Sequence, residues 1–503
     1  QGELNLNGTL KVSAPLQITG NPNLNGSVIL DINETDAGAL LFYDKANINN
    51  ANLIIQIQEQ DINITSEWEK TILTAPHLNQ QFASYSDNSE IYDFLIDYHA
   101  NHISLTVKDV NLLSLCAATN PSENIASLIN KLEKGINTDS TNQLITKIYS
   151  LKENKKICQA LQSLSPETIV SSVAGARANI SSHLKNISAR LNYYHISSQP
   201  QNKLAQLASD YFGFLNLNNP NKTENYLWIR QSYSKTNQDA DNLHIGFDTS
   251  GLGISAGIDY LVGKLLLGIS GGHSNSEIEY QDGYANGDIT TYNISAYGSY
   301  APNKDRKYYI DAILTYSGHT YDLNRRIMIN TLAETAKSDW QASDYGAYIT
   351  AGYKIPFKNN LTITPVISLQ YSDYSQDSFV ENGSIGDLET AEANYQSLIA
   401  GVGFTLEKQF NYKNWILQPY LSFIYERNFE DTVNNIQTRL LSMPANLQSI
   451  TATGYDSGAN NYTIGFGIQA YTQKNLQLHF NYDLIVRKNA LSHQLGFGLK
   501  LYF

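Results

Sequence analysis

The sequence predicts a mainly β protein: a 12-stranded antiparallel transmembrane β-barrel with a helix in its lumen, preceded by a helical segment and the end of a parallel β-helix. Three observations support this prediction. Across residues 224–503, polar and apolar residues alternate in segments of roughly ten positions, as in strands that cross a membrane. The segments are separated alternately by tight turns and by longer polar loops. The chain also has 34 tyrosines but only 16 phenylalanines and 2 methionines, and tyrosine suits the boundary between water and lipid.

Composition excludes several classes of function. The formal net charge of −13 argues against a nucleic-acid surface, which needs a basic patch. No run of about 18 apolar residues occurs, so a transmembrane helix is excluded by length. The segment from Gln1 to Leu4 lacks the basic stretch and apolar core of a signal peptide. If the protein is exported, we therefore expect its signal peptide to lie upstream of Gln1.

Residues 1–113 show short apolar alternation interrupted by asparagine and glycine, as in Leu4–Gly8 and Leu24–Leu30. Short strands with such corners at near-regular spacing predict stacked rungs of a parallel β-helix, although the repeat is degenerate. The stretch from Trp68 to Val107 predicts longer strands. A solenoid needs a cap at its end, and we expect the cap there.

From about residue 121 to 196 the period changes to that of helices, and residues 197–223 are polar and rich in asparagine. Two early segments carry apolar faces near Ile125–Leu132 and Leu144–Leu151. The third helix begins at Ser165-Pro166-Glu167, with serine as the capping residue and proline at the first helical position. One of its faces is polar, and the other is formed by Ile169, Val173, Ala176, Ile180, Leu184, Ile187 and Leu191. At about 1.5 Å per residue, residues 166–191 would span roughly 39 Å, enough to cross a membrane inside a barrel.

The two cysteines, Cys116 and Cys158, are too few to serve as a disulfide scaffold. They can form a single bridge in an oxidising periplasm or remain two free thiols. Sequence alone does not place them within bonding distance, so both alternatives stay open.

The order of turns and loops in residues 224–503 predicts the number of strands. Tight turns fall at residues 263–264, 302–305, 358–360, 411–414 and 473–475, and loops fall near 236–245, 275–287, 320–342, 375–393, 429–459 and 487–491. Five turns interleaved with six loops give twelve strands whose two ends lie on the side of the tight turns. Outer-membrane barrels have this asymmetry of short periplasmic turns and longer outer loops. A soluble sandwich, the alternative, has no reason to sort its loops in this way.

The alternation itself is clearest in the last strands. The final strand sets Leu495, Phe497, Leu499, Leu501 and Phe503 against glycine and polar residues. A lipid-facing wall around a wet lumen requires this arrangement. On the polar faces of their strands we expect small residues that leave room for a plug: Gly253, Gly257, Gly268, Gly272, Gly465 and Gly467.

Catalytic and metal-binding motifs have simpler interpretations. The segments Gly253–Gly257 and Gly268–Gly272 match the G-x-S-x-G pattern of a nucleophile elbow, but a true elbow is a strand-to-helix turn and both segments lie inside alternating strands. The histidines show no paired metal-ligand spacing, and no P-loop occurs. The sequence therefore predicts neither an enzyme nor a cofactor.

Three features in one order along the chain resemble the classical monomeric autotransporters of type V secretion. They are the β-helix end with Leu73–Val107, the helix opening Ala160–Glu167 (ALQSLSPE, similar to the family's "AL-x-x-L-S-P/G-E"), and a closing strand that ends in an aromatic residue, Phe503. Trp228–Arg230 resembles the usual first strand. The few arginines and many Asn, Ile and Lys residues also fit a rickettsia-like surface antigen.

The resemblance implies a division into the C-terminal end of an exported passenger at 1–113, a helical linker at 114–223 and a translocator barrel at 224–503. It implies a Gram-negative outer membrane with the passenger at the cell surface. The implied partners are outer-membrane lipid, periplasmic chaperones and the barrel-assembly machinery, which would recognise the closing strand, while the chain itself would be a monomer. A helix would remain in the lumen, with its residues among Ser165, Pro166, Glu167, Ile169, Val173, Ile180, Leu184 and Leu191. Residues 202–215 are the rival plug, because they lie nearer the first strand.

Other functions stay open at this point. The molecule could act as a surface adhesin that meets a host cell, as an open porin, or as the anchor of an enzyme whose catalytic part lies upstream. Asn218-Asn219, followed by Pro220, invites the idea that asparagine cyclisation releases the passenger, whereas an ordinary turn is the simpler interpretation.

Overall fold

The structure is a computed structural model. It describes residues 5–20, 22–33, 37–45, 47–57, 68–78, 80–88, 93–108, 153–196, 224–241, 244–302, 306–329, 331–413, 415–430, 433–443, 449–456, 458–472 and 476–502, together with residues 116, 125, 126, 128, 129, 132, 144, 147, 148 and 151. The chain divides into two compact units. The first comprises Gln1–Ser165, Ile327–Glu334 and Leu441–Gln448, and the second comprises Pro166–Arg326, Thr335–Leu440 and Ser449–Phe503.

The first unit contains a stack of parallel strands. Its strands are β1 Asn5–Leu6, β2 Thr9–Val12, β3 Leu16–Ile18, β4 Asn23–Leu24, β5 Ser27–Ile32, β6 Leu40–Phe42, β7 Asn52–Ile57, β8 Glu69–Thr74, β9 Ser84–Asp87, β10 Asp93–Tyr98 and β11 His102–Lys108. One parallel sheet has the order β2-β5-β7-β9, and a second runs β3-β6-β8 before it becomes antiparallel at β11 and β10. The antiparallel strands lie within the stretch predicted as a cap.

The rungs of this stack lengthen along the chain. Asn25 bonds back to Asn7 across 18 positions, Asn50 to Asn25 across 25, and Ser84 to Asn52 across 32. The inward residues Leu30, Leu53 and Ile55 are 1% exposed or less. Because each turn has a different length, the sequence repeat is degenerate even though the strands stack in register.

Helix α1, Asn154–Leu164, follows in the same unit. Its Cys158 forms a disulfide with Cys116, with the two Cα atoms 5.6 Å apart. Ile125, Leu128, Ile129 and Leu132 are buried in helical backbone. Ser165 ends α1 as its C-cap, so the expectation that Ser165 caps the following helix is wrong. That helix has Pro166 as its N-cap instead.

The second unit begins with two helices, α2 Glu167–Ser171 and α3 Val173–Ile196. The predicted single helix is therefore interrupted at Ser172, whose hydroxyl bonds to the carbonyl of Ile169. A side chain that returns to the backbone competes with the helical bond ladder. Within the described part of the chain, no helix is both long and apolar enough to cross a membrane.

Twelve long strands of the described residues close into a barrel. They are β12 Glu224–Gln238, β13 Phe247–Val262, β14 Leu265–Tyr280, β15 Ala285–Tyr300, β16 Tyr308–Ile329, β17 Leu332–Tyr353, β19 Leu361–Gln376, β22 Ala393–Lys408, β24 Trp415–Asn428, β27 Asn460–Thr472, β28 Leu476–Arg487 and β29 Ala490–Tyr502. Sequential neighbours pair antiparallel, and β12 pairs with β29 to complete the ring. Short β18 Ile355–Pro356 and β23 Phe410–Tyr412 extend two of the turns.

Outside the ring, two of the loops form a four-stranded sheet. Its order is β20 Phe379–Val380, β21 Leu388–Thr390, β25 Asn435–Leu440 and β26 Ile450–Thr453. The loops predicted near 275–287 and 320–342 are wrong in length. Strands β14 to β17 run through most of both. In β16, polar Asp322 and Asn324 are outward positions that alternate with buried Tyr321 and Leu323. Because these outward residues are polar, this part of the strand has the composition of a loop.

The outer face of the barrel is an apolar belt. Ile269, Ile294, Leu314 and Ile367 are each 62–64% exposed, while their strand neighbours Ser270 and Ser295 are buried. A side chain of this kind in the middle of a long strand requires lipid as its solvent. The barrel therefore spans a membrane.

The belt predicts a depth-dependent cost for charge. Ile294→Arg, at the middle of β15, should lower the free energy of unfolding in lipid vesicles by about 2–4 kcal/mol. The matched variant Asn286→Arg, exposed near the end of the same strand, should cost no more than about 1 kcal/mol. Urea titration of vesicle-embedded protein measures both, and equal costs would contradict the assignment of the belt.

The disulfide predicts a second effect on stability. The bond closes a loop with a sequence separation of 42, so replacing both cysteines with alanine should destabilise the helical part of the first unit by about 4 kcal/mol on chain-entropy grounds. Limited proteolysis between residues 116 and 164 should become faster in the double variant and in the reduced wild type. Unchanged cleavage under reduction would show that the bond contributes nothing.

Candidate functional site

The site is the lumen of the barrel, and helix α3 occupies it. Four polar residues of α3 recur at intervals of four, three and four: Asn179, His183, Asn186 and Arg190. This spacing places them on one face of the helix. All four are 3% exposed or less, and all four contact the wall formed by β12 to β15.

Hydroxyl groups of the wall meet the first two of these residues. Asn179 donates to the hydroxyl of Thr291 at 3.0 Å and accepts from that of Ser276 at 2.5 Å. The ring of His183 bridges two strands, with Nδ1 3.1 Å from the hydroxyl of Ser255 and Nε2 2.9 Å from that of Ser295. Buried polar groups are costly unless they are paired, so these contacts fix the rotation of the helix.

Asn186 joins the helix to a network that crosses the closing seam of the barrel. Its side-chain oxygen accepts from Arg230 Nε at 3.2 Å. The other guanidinium nitrogens of Arg230 lie 2.6 Å from His479 Nδ1 and 2.7 Å from Asn481 Oδ1 on β28. Arg230 belongs to β12, so one side chain links the plug, the first strand and the penultimate strand.

Arg190 makes a bidentate contact with the barrel wall. Its Nε and one terminal nitrogen bond both oxygens of Asp259 at 2.7 and 2.6 Å, and the two side chains are 1% and 0% exposed. Tyr297 donates to the same carboxylate at 3.0 Å and accepts from the Trp228 indole at 2.7 Å. Bidentate pairing adds direction as well as energy. The helix is therefore fixed along its axis as well as around it.

Charged side chains bind the backbone at the C-terminal end of the helical segment, and a charged side chain of the segment itself binds the barrel at the N-terminal end. At the C-terminal end, Arg306 donates to the carbonyl of Tyr194 and Lys354 to that of His195, which suits the negative end of a helix dipole. His195 also lies 2.9 Å from an oxygen of Asp311 and stacks on Tyr309 with ring centroids 3.7 Å apart.

At the N-terminal end, the carboxylate of Glu167 accepts from the backbone of Ile245 at 2.5 Å, and Tyr280 donates to the carbonyl of Thr168 at 2.5 Å. Burial, and after it the negative charge of Glu167, raises the pKa of Tyr455 in the neighbouring loop. The N-terminal end therefore lies among the outer loops, and the C-terminal end lies beside the tight turns.

The remaining faces of α3 differ from each other. Ile187 and Leu191 pack into an apolar cluster with Trp228, and Ile180 and Leu184 belong to the same cluster. On the far side, a cavity of about 250 Å³ separates the helix from the opposite wall; Ser181, Lys185, Ser188 and Asn192 line it from the helix. The helix is thus attached to one wall and does not fill the lumen.

The predicted small residues do face the lumen, but most make room for barrel side chains. A Cβ atom on Gly272 would lie 2.8 Å from His183 Nδ1, so this glycine admits the helix. A Cβ on Gly257 or Gly268 would instead meet Trp228 or Tyr297 at 2.7 or 2.3 Å. Gly253, Gly465 and Gly467 likewise face barrel side chains, namely Ser232, Asp483 and Tyr420.

The other predicted residues are placed as follows. Leu495 and Phe497 on β29 are 37% and 52% exposed, and Leu499 is half-buried. Leu501 belongs to the same strand. Phe503, the pair Asn218-Asn219 and residues 202–215 lie outside the described residues.

The polar face of α3 is what sequence reasoning missed. The sequence predicted only that one face of this helix is polar, and it gave no partner for Asn179, His183, Asn186 or Arg190. Their intervals of four, three and four residues were the available signal, because they mark a second continuous stripe on the same helix. Among the described residues, no group of three or more histidine, cysteine or acidic side chains is arranged to hold a metal ion.

Comparison with known proteins gives three findings. The family described as Autotransporter beta-domain matches residues 227–483. Outer membrane protein A of Rickettsia conorii is 23% identical over 286 residues, which cover 55% of this chain and 14% of that protein. Lipase 1 of Photorhabdus luminescens is 26% identical over 161 residues, which cover 32% of this chain and 24% of that protein. The chain therefore spans only a minor part of the length of these curated relatives.

Among solved structures, the chain is similar to the translocator domain of autotransporter NalP from Neisseria meningitidis. The TM-score is 0.46 at 14% identity, and the match covers 65% of this chain and 98% of that one.

The Arg190–Asp259 contact yields a prediction about the barrel. Arg190→Ala should lower the unfolding free energy by about 3–5 kcal/mol, because it leaves a buried carboxylate without its partner. Ser188→Ala, a change on the cavity side of the same helix, should be neutral within about 0.5 kcal/mol. The temperature at which folded, fast-migrating protein is lost on SDS gels measures both. Equal temperatures for the two variants would contradict the seating of α3.

Proposed function

This chain belongs to the autotransporter family, since the family match covers residues 227–483. From that premise we propose that the barrel exports the part of the chain that precedes α2 and then anchors it at the cell surface. The barrel is an outer-membrane translocator unit. We propose that residues 1–113 are the end of its passenger, residues 114–223 a linker that includes the pore helix, and residues 224–503 the translocator.

The direction of the helical segment carries this proposal. The N-terminal end, at Glu167, lies among the long loops, whereas the C-terminal end, at His195, contacts residues of the tight turns. Outer-membrane barrels keep short turns on the periplasmic side and long loops outside. The chain that precedes Glu167 therefore leaves the lumen at the outer surface, as an exported passenger must.

The source of energy follows from the first unit. The outer membrane offers no nucleotide, but each rung of the parallel stack buries apolar residues such as Leu30 and Leu53 against its neighbour. A solenoid propagates by adding rungs to a folded end. We propose that the antiparallel cap, β8, β10 and β11, folds first outside and that the growing stack prevents return through the lumen.

The partners are proposed on chemical grounds. Lipid contacts the apolar belt. Leu495 and Phe497, exposed on the closing strand β29, support recognition of that strand by the barrel-assembly machinery before it pairs with β12. Periplasmic chaperones would hold the unfolded barrel and passenger. Adhesion to a host cell would depend on passenger residues and is proposed as a role of the whole protein.

Catalysis by the barrel is not part of the proposal. Ser255, in the first elbow-like segment, does lie 3.1 Å from His183, which is the pairing a nucleophile would need. The second nitrogen of His183 meets the hydroxyl of Ser295 at 2.9 Å, however, so a serine takes the place of the orienting carboxylate. Both G-x-S-x-G segments lie within continuous strands, β13 and β14, and not at a strand-to-helix turn.

Export is tested by where the passenger lies. The full chain, preceded by a signal peptide and an epitope, is expressed in a Gram-negative host, and intact cells are treated with protease. We expect the epitope to be lost from intact cells, and to be retained when β28 and β29 are deleted, because the barrel then cannot close. A folded, membrane-inserted barrel whose epitope stays protected would contradict the proposal.

A porin-like function makes a different prediction in the same protein. Most residues that line the cavity beside α3 have polar side chains, and deletion of residues 165–223 should open the lumen fully. Planar-bilayer recordings should therefore show a large rise in conductance after the deletion. A conductance that is equally high with and without these residues would favour an open porin.

A further inference from the structure

The outer-loop sheet, defined as strands β20, β21, β25 and β26, lies at the end of the barrel that carries the long loops. Its strands come from two loops, those after β19 and after β24, and alternate between a buried and an outward face. The outward face is polar, with Gln437 bonded to Thr451 and Arg439 paired with Glu389. The buried face consists of Leu388, Ile436, Leu440, Ile450 and Ala452, all 2% exposed or less. A sheet with one apolar face must cover something.

Helix α2 is what lies beneath this sheet. Thr168, Ile169 and Val170, at the outer end of the lumen, are 3%, 0% and 1% exposed. Val170 lies close to the end of β26: a Cβ on Gly454, the residue that follows this strand, would lie 3.1 Å from Val170 Cγ2. Helix α2, a segment of the same chain, is therefore in contact with the sheet at the end of β26.

One buried ion pair fastens the sheet to the barrel. Arg325 on β16 bonds both oxygens of Glu381 at 3.1 and 2.6 Å, and the side chains are 1% and 0% exposed. Arg325 also donates to the carbonyl of Gly386 at 2.6 Å, and Glu381 accepts from the backbone of Leu388 at 2.9 Å. The pair thus sets the position of the whole first loop relative to the barrel wall.

Aromatic stacking and backbone pairing support the same attachment. The rings of Tyr321, Trp340 and Phe379 stack in sequence, with centroids 4.5 and 4.3 Å apart and planes within 7° of parallel. Lys337 and Asn382 exchange two backbone hydrogen bonds of 2.9 Å. Gly383 follows with a φ of +112°, so the chain turns at a residue that favours this conformation.

We propose that the outer-loop sheet is a lid that closes on α2 once export is complete, and that Arg325–Glu381 is its latch. The inference rests on the proposed function, because a passenger cannot leave past α2 while the sheet covers it. Well-packed apolar groups often stabilise a fold more than a buried ion pair does. A pair at this position specifies one closed arrangement and breaks as a unit.

The test measures how often the lid opens. Val170→Cys is introduced into the full chain, and intact cells are treated with a maleimide that does not cross membranes. Burial should make labelling slow. With Arg325→Ala added, the ratio of open to closed lids should rise on the order of 100-fold, since a buried charge loses its partner, and labelling should accelerate in proportion. Arg439→Ala, which breaks the exposed pair in the same sheet, should change the rate by less than about fivefold.

A covalent lock supplies the reverse experiment. Lys337→Cys with Asn382→Cys places two cysteines at an antiparallel bridge, a geometry within reach of a disulfide. In the Arg325→Ala background, oxidation should restore slow labelling and reductant should remove the protection. The same reductant applied without the engineered pair controls for the bond between Cys116 and Cys158.

Two results would overturn the lid. One is labelling of Arg325→Ala at the wild-type rate in protein that has reached the membrane. The other is an equal labelling rate of Val170→Cys with the engineered 337–382 disulfide oxidised and reduced, in a chain that keeps Arg325. This second result applies even if Arg325→Ala does not assemble. Failure of export shows separately, as an epitope protected from protease in the unmodified chain, so the two ideas can fail independently.

Discussion

Closure of the sheet between β12 and β29 is the constraint on which the rest of the structure depends. In lipid, each backbone donor and acceptor must find a partner within the protein, and an open sheet edge cannot satisfy this. Once the first and last strands pair, from Tyr226 opposite Tyr502 to Gln238 opposite Ala490, alternate side chains must point to lipid and to the lumen. The apolar belt and the polar lumen are both consequences of that one pairing.

Closure also explains the polar network at the seam. Arg230 on β12 contacts the helix at Asn186 and reaches two residues of β28. A cation in a closed lumen loses much of its hydration, so its hydrogen-bonding groups must be met by the protein. Because the partners come from both ends of the barrel sequence, the network can be completed only when the ring is closed with the helix inside it.

The barrel strands could be predicted from the sequence because the alternation of polar and apolar residues along a strand is a local pattern. The dyads of β27 to β29 lie where the alternation predicts, and the turn at Gly263-Lys264 joins β13 and β14 directly. The loop lengths after β14 and β16 could not be predicted by polarity, since Asp322 and Asn324 belong to strands that continue beyond the belt into water. The parallel stack was predicted, but its rungs of 18, 25 and 32 positions make the sequence repeat degenerate, because turn length varies freely where corners face solvent.

The lumen was harder to predict because its contacts are long-range and pairwise. An apolar stripe on a helix predicts burial by itself, whereas Asn179 or Arg190 is explained only once Thr291 or Asp259 is known to stand opposite. The width of a twelve-stranded lumen suits one helix, yet width does not hold α3, since a cavity of about 250 Å³ lies along its other side. Directional contacts to β12–β15 hold it, while the cavity separates its other side from the opposite wall. The same lumen therefore combines a fixed plug with open space, because attachment depends on which residues meet and not on how fully the space is filled.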